Sequence, residues 1–399
     1  MSSLLLALLF AGPSIEGLTI ADGRRAVLSV TATVVTEAAG EVRLEGDVNG
    51  RPVLLARRLP KAGAKPVKFR LDPRSLGILA PDVPLRFALD LVVEETGGAR
   101  AEEAVERTLP VPLAVLHGLG QEVSPGALED FAAGIDLASP SDWSAEGVRP
   151  DLLLHHYRTV GPSLPALGKA FAKALKRFVK KSGFGRADVV AYSMGGLVTR
   201  SAMTQGAGGL VRRVVFTGTP NEGTPVAYLG VAASDFGMAG PVPGVDPALA
   251  DLLLDPAART TLVTFFPTYP WHDPFPVLLE PLLPDPEGPL AALNALGPVA
   301  GVDYHAISYS GPGTVEYVDS ADILLLLGSG LLSPEQLAGV LMAMADGAGD
   351  GVVPLRSVFL RDEPAWSGAL TEHDLGPGTH TALPEDPAVL ATIAGILDL

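Results

Sequence analysis

Four short segments of this 399-residue chain carry groups that could do chemistry together. Ser193 lies in Ala191-Tyr192-Ser193-Met194-Gly195-Gly196, at the end of the apolar run from Ala187 to Tyr192. Small residues two before and two after a serine permit a tight strand-to-helix turn that lifts the hydroxyl clear of the backbone. Alanine at 191 stands where the commoner Gly-x-Ser-x-Gly form has glycine, and still meets the steric demand. A serine hydroxyl alone is a weak nucleophile. Acyl transfer also needs a base, a carboxylate to orient it and donors for the oxyanion. The bland alternative, a serine capping a helix after a strand, needs none of these.

The chain offers a candidate for each role. His380, in Gly378-Thr379-His380-Thr381-Ala382-Leu383, precedes an apolar-periodic tail of Val389, Ile393 and Ile396; His373 is the alternative base. Asp350, in Gly349-Asp350-Gly351-Val352-Val353-Pro354, is preferred as the carboxylate over its competitor Asp346, because its flanks suit a tight turn before Val352 and Val353. His117-Gly118-Leu119-Gly120 follows the apolar run Leu113 to Leu116, where the backbone N–H of Leu119 could meet that of Met194 as an oxyanion hole. His155, His156, His272 and His305 lack paired ligand spacing and read as structural, so no metal is expected. No cofactor is expected either. Cysteine is absent, which removes disulfides, thiolate metal sites and a cysteine nucleophile.

These segments need a scaffold, and the chain changes grammar once. From about residue 14 to 109, apolar residues alternate with polar ones: Leu28, Val30, Ala32 and Val34; Val42, Leu44 and Val48 running into the hairpin signal Asn49-Gly50; Val67, Phe69 and Leu71; Leu85 through Val93, ahead of Thr96-Gly97-Gly98. That pattern predicts an antiparallel, immunoglobulin-like or fibronectin-like sandwich over residues 1–110. Leu109-Pro110-Val111-Pro112 reads as a linker, since prolines so close interrupt helix and sheet. Over residues 111–399, short apolar runs (Leu113 to Leu116, Asp188 to Ala191, Val211 to Phe216) alternate with helical periodicity, predicting a mainly parallel sheet flanked by helices. One such helix carries Leu164, Leu167, Phe171, Leu175 and Phe178 on one face and Lys169, Lys173, Lys176, Arg177, Lys180 and Lys181 largely on the other, a stripe expected to be solvated.

Composition limits the function classes. Hydrophobic residues are 47% and charged residues 19%, ample for a large core. A net charge of −16 disfavours nucleic acid and anionic lipid surfaces as partners. Leu4 to Ala11 is apolar but too short to span a bilayer and lacks a preceding basic residue. It reads equally as a buried first strand or an atypical export signal, and a secreted or periplasmic location is slightly favoured over a cytoplasmic one.

The elbow string resembles that of bacterial lipases with alanine in place of the first glycine, and His117-Gly118-Leu119 resembles their oxyanion loop. Gly218-Thr219-Pro220-Asn221-Glu222-Gly223-Thr224-Pro225 resembles the Gly-Thr-Pro-x-x-Gly segment of triacylglycerol lipases and lecithin:cholesterol acyltransferase-like hydrolases. The Asp350 and His380 segments follow in the family's order. The match covers roughly residues 112–399, only loosely between 226 and 300, and leaves the N-terminal strands outside. The resemblance implies an α/β-hydrolase fold and a Ser193, Asp350, His380 triad, with His117 bracing its loop because the family's histidine comes last. Some such lipases hold calcium or zinc near the histidine loop; their ligands have no match here.

Substrate choice is expected in the insertion at about residues 226–300. There Phe265, Phe266, Tyr269, Trp271 and Phe275 crowd among Pro267, Pro270, Pro274 and Pro276, with leucines from Leu278 to Leu283. A lid or acyl-chain wall and ordinary core packing are equally compatible with that composition. The lid would favour hydrophobic esters and, at most, transient contact with a lipid interface. An acyltransferase or polyester hydrolase could use the same triad, and a catalytically inactive binding protein is the remaining class.

Overall fold

The computed structural model describes residues 12–23, 25–119, 126–138, 151–158, 162–224, 289–311 and 349–397. Leu4 to Ala11, Gly120, His272, Asp346 and the aromatic, proline-rich stretch from Phe265 to Leu283 lie outside them. The chain divides into two compact units, one of residues up to Pro112 together with Phe178–Arg186, the other holding most of the remainder from Leu113 onward.

Among its described residues, the first unit holds seven strands: β1 (Ser14–Gly23), β2 (Val27–Thr36), β3 (Gly40–Val48), β4 (Arg51–Leu59), β5 (Gly63–Leu71), β6 (Leu85–Glu95) and β7 (Arg100–Leu109). They form two antiparallel sheets, ordered β1-β2-β5 and β4-β3-β6-β7. One apolar core takes side chains from both, with Leu28, Val30 and Val34 from one sheet and Leu44, Leu85 and Leu91 from the other each no more than 1% exposed. The period of two decides which side chains enter, because successive residues of a strand point to opposite faces. Asn49 and Gly50 both adopt positive φ, 50° and 75°, which closes the two-residue β3–β4 hairpin with the twist its strands require.

Among its described residues, the second unit holds six paired strands in the order β13-β12-β11-β10-β8-β9. These are β8 (Leu113–Leu116), β9 (Leu152–His155), β10 (Ala187–Tyr192), β11 (Val211–Thr217), β12 (Asp303–Ser308) and β13 (Leu370–Asp374), and every neighbouring pair is parallel. β8 and β10 are buried at every position, as expected of strands covered on both faces, and so read as continuous apolar runs. Helices α1 (Ala127–Leu137), α2 (Leu164–Ser182), α3 (Met194–Ala202), α4 (Pro289–Ala295), α5 (Leu355–Val358) and α6 (Pro387–Leu397) accompany the sheet. Along α2, Leu164, Leu167, Phe171 and Leu175 are buried while the six basic residues are exposed. No described helix is long and apolar enough to cross a membrane.

From β8 the chain moves to β9 on one side, then returns to β10 on the other and continues to β13. The direction of winding therefore reverses between β8 and β10. In a parallel sheet, that reversal opens a crevice beyond the carboxyl ends of the strands, because the two flanking connections leave in opposite directions.

Candidate active site

The two strands at that crevice end in the segments singled out from sequence. Ser193 follows β10 and precedes α3, with φ 51° and ψ −125°, a conformation that a residue with a Cβ adopts only under constraint. Two backbone bonds supply the constraint: Ser193 N–H donates to Thr217 O at 2.8 Å, and Gly196 N–H to Ser193 O at 3.0 Å. The small residues are needed for close approach. A methyl at Gly195 would sit 2.7 Å from His117 O, and one at Gly196 would sit 2.1 Å from Thr219 Oγ1. Ala191 is fully buried.

As the residue preceding α3, Ser193 could cap the helix, yet its side chain makes no cap bond. Its Oγ instead lies 3.0 Å from His380 Nε2. His380 Nδ1 lies 2.7 Å from Asp350 Oδ2, and the other carboxylate oxygen accepts the N–H groups of Val352 at 3.0 Å and Val353 at 2.8 Å. With Nδ1–H given to the carboxylate, Nε2 is left as the acceptor for the Ser193 hydroxyl. Asp350 is 0% and His380 4% exposed, so the pair is screened little by solvent. Two backbone features seat the histidine: His380 N–H donates to Asp350 O at 2.8 Å, and the Tyr192 hydroxyl donates to His380 O at 3.0 Å.

The loop after β8 comes up against the serine, for a methyl at Gly118 would lie 3.0 Å from Ser193 Cβ. Leu119 follows directly, half-buried, and Met194 opens α3, where the first N–H groups have no partner within the helix. His117 is held as a brace. Its Nδ1 meets Gly118 O at 2.7 Å, its Nε2 accepts the Tyr157 N–H at 3.3 Å, its carbonyl accepts the Tyr157 hydroxyl at 2.6 Å, and its ring stacks on Tyr157 with centroids 4.2 Å apart.

The other histidines sit apart from this line. His373, on β13, places Nε2 3.0 Å from His305 Nδ1 on β12, and burial followed by the neighbouring His305 lowers its pKa. Burial pushes His155 down to about 4. Among the described residues, no group of three or more His, Asp or Glu side chains is arranged to hold a metal ion.

Two residues of the site carry no signal in the sequence. Tyr192 stands there only as a variable position of the elbow, and Tyr157 has no motif around it. Asn221 lies inside the Gly-Thr-Pro string, but nothing in the string reveals that its side chain reaches Val358 O at 2.8 Å.

No protein-family model matches the chain, and no curated protein sequence matches it. Among solved structures it is similar to the Bacillus licheniformis lipase BlEst2 in mature form, at 19% identity over 73% of this chain and 93% of that one, with a TM-score of 0.39. It is also similar to phospholipase PlaB from Legionella pneumophila, at 12% identity over 62% of this chain and 45% of that one, TM-score 0.39. The enol-lactonase from Burkholderia xenovorans is matched at 16% identity over 79% of this chain and 97% of that one, TM-score 0.35. At such scores the likeness bears on neither activity nor substrate.

Proposed function

We propose that this chain is a serine ester hydrolase of the α/β-hydrolase fold, cleaving esters of hydrophobic acyl groups. The observation that carries the reading is the continuous line Ser193 Oγ, His380 Nε2, His380 Nδ1, Asp350 Oδ2, with spacings of 3.0 and 2.7 Å at its two hydrogen bonds. Supporting it are the constrained backbone of Ser193 and its place at the winding reversal of the sheet.

In the cycle, Ser193 Oγ attacks the ester carbonyl as His380 Nε2 takes its proton. Asp350 holds the imidazole tautomer and stabilises the imidazolium that forms. Negative charge on the tetrahedral oxygen rests on the N–H groups of Leu119 and Met194. Collapse returns the proton from His380 to the leaving alkoxide and releases an alcohol. Water then attacks the acyl-enzyme with His380 as base, and the acid leaves with Ser193 restored. No cofactor or metal enters these steps.

The hydrophobic acyl preference rests on the sequence between residues 226 and 300, whose aromatic and leucine content suits an acyl-chain wall. For the domains we propose an immunoglobulin-like sandwich over 1–110 and a catalytic domain over 111–399. The sandwich departs from the constant-type immunoglobulin order, since its fourth strand pairs with the third rather than joining the sheet of the first, second and fifth. None of its residues suggests a part in catalysis.

The test is hydrolysis of p-nitrophenyl esters from acetyl to palmitoyl by the wild type and by a folded Ser193→Ala protein. Activity lost in the variant, with a preference for longer chains, is the expected result. Activity retained by Ser193→Ala overturns the assignment of the nucleophile. Product analysis with an added alcohol separates hydrolysis from acyl transfer.

A further inference from the structure

A buried cation lies in the second unit that the acyl-transfer steps do not use. Arg200, two turns along α3 from Ser193, is 3% exposed. Its Nη1 donates to Asn221 Oδ1 at 3.1 Å, its Nη2 to Asn294 Oδ1 at 2.6 Å, and its guanidinium carbon lies 4.7 Å from the centre of the Trp366 ring. Among the described residues no carboxylate forms an ion pair with it, and burial lowers its pKa to about 10. Its direct hydrogen-bond partners are neutral, the charges of Glu363 and Glu222 offset only part of the burial, and holding a guanidinium out of water this way is costly.

What its donors hold suggests a role. Asn221 passes the contact on, its Nδ2 donating to Val358 O at 2.8 Å. Beside it, Glu222 N–H donates to Ser357 Oγ at 2.9 Å, the Ser357 hydroxyl donates to Gly223 O at 2.7 Å, and the Thr224 hydroxyl donates to Val352 O. Every one of these partners belongs to the run 350–358, which begins with Asp350. The loop at 219–224 is thus stitched to the carboxylate-bearing segment, and Arg200 ties the same loop to the helix that Ser193 precedes. On its far side the guanidinium is fixed in turn: Asn294 Nδ2 donates to Glu363 Oε1 at 2.8 Å, and Trp366 Nε1 to Asn294 O at 3.2 Å.

We infer that Arg200 and Asn221 are positioning residues that lock the Asp350 segment to the elbow helix, keeping carboxylate, imidazole and hydroxyl in line. The inference rests on the acyl-transfer reading for its consequence in rate, though not for the geometry it asserts. Neither side chain contacts Ser193, His380 or Asp350 in the hydrogen-bond network, so both act through the segment they hold. A merely structural role would lower stability and leave the imidazole as it is.

The test compares wild type with Arg200→Met, Asn221→Ala and a control, Ile135→Val, which trims a fully buried side chain on α1. Imidazole 15N shifts of His380 report its tautomer without any turnover. We expect a single Nδ1–H tautomer in wild type and control, and a mixture of tautomers in both network variants. In parallel, p-nitrophenyl butyrate hydrolysis is measured per site titrated with a fluorophosphonate. There kcat falls about tenfold or more with KM within twofold. Tautomers unchanged in both variants, or equally mixed in wild type or control, overturn the inference. A wild type that neither reacts with the fluorophosphonate nor hydrolyses esters overturns the ester-hydrolase reading instead, and the 15N shifts still decide the positioning role. Should Arg200→Met fail to fold, Asn221→Ala and Ser357→Ala carry the same comparison.

Discussion

Replacing Asp350 by asparagine changes one oxygen of the carboxylate into an NH2 group and almost nothing in volume. Oδ1 accepts two backbone N–H groups, from Val352 at 3.0 Å and Val353 at 2.8 Å, while Oδ2 faces His380 Nδ1 at 2.7 Å. An asparagine keeps its oxygen toward the two N–H groups, since turning it round would lose two bonds worth about 1 kcal/mol each and set donor against donor. That preference of about 2 kcal/mol or more is a ratio of roughly 30 in population. The NH2 group therefore points at the imidazole and selects the tautomer with hydrogen on Nε2, which cannot accept the Ser193 proton. In the triad of a serine protease, exchanging the aspartate for asparagine costs about 10⁴ in kcat through the same change of tautomer, or roughly 5.5 kcal/mol of barrier. We predict a loss of that order here, with KM and melting temperature little changed. Steady-state kinetics on a p-nitrophenyl ester, normalised to correctly folded protein by circular dichroism, supply the measurement. A loss below about tenfold, or one confined to KM, would refute the tautomer argument.

Three further outcomes are expected. Ser193→Gly should abolish ester hydrolysis while stabilising the fold by about 1 kcal/mol, because glycine adopts φ 51° without the constraint a Cβ imposes; equilibrium urea unfolding checks this, and a destabilised variant would count against stored strain. Gly196→Ala should destabilise by about 1–3 kcal/mol, since its methyl would lie 2.1 Å from Thr219 Oγ1; adding Thr219→Ala should recover part of the loss, and a strictly additive double variant would show the contact is not the cause. Two half-buried groups with shifted pKa values should act on stability in opposite directions. His155, lowered to about 4, stays neutral in the fold while the unfolded chain takes up a proton, so stability falls as pH drops from about 6.5 to about 4, by up to about 3 kcal/mol. Glu222, raised to about 7 chiefly by burial, stays protonated while the unfolded chain ionises, so stability falls as pH rises from about 4.5 to 7. His155→Phe and Glu222→Gln should flatten the respective limbs of unfolding free energy against pH, and slopes identical to wild type would contradict the assigned causes.

Much of the architecture is legible along the chain because its signals are local. Alternation at Leu28, Val30, Ala32 and Val34, the Asn49-Gly50 turn, and the helical spacing from Leu164 to Leu175 each follow from the geometry of a single element. So does the elbow, where small residues around Ser193 record a close approach that any backbone in that turn must make. β9 leaves no such record: Leu152 to His155 is a short edge strand, half-buried or exposed, and too brief for a period to emerge. β13 is silent for a similar reason, since Leu370-Thr371-Glu372-His373-Asp374 carries one apolar residue and is extended only because it pairs with β12.

The sequence by itself determined which residue types could perform acyl transfer and in what order they occur, because motif chemistry depends on neighbours a few positions away. It favoured Asp350 over Asp346 and His380 over His373 from their flanking residues, but local context alone cannot bring any of them to Ser193. Only the tertiary structure brings His380 between Ser193 and Asp350, 187 and 30 residues away, and sets His373 against His305 on the sheet edge. It alone selects the partners of Arg200, whose contacts at Asn221, Asn294 and Trp366 come from three segments far apart in the chain. The physical reason is the same in each case: a buried polar group must find its hydrogen-bond partners wherever packing delivers them, and packing is a property of the whole fold.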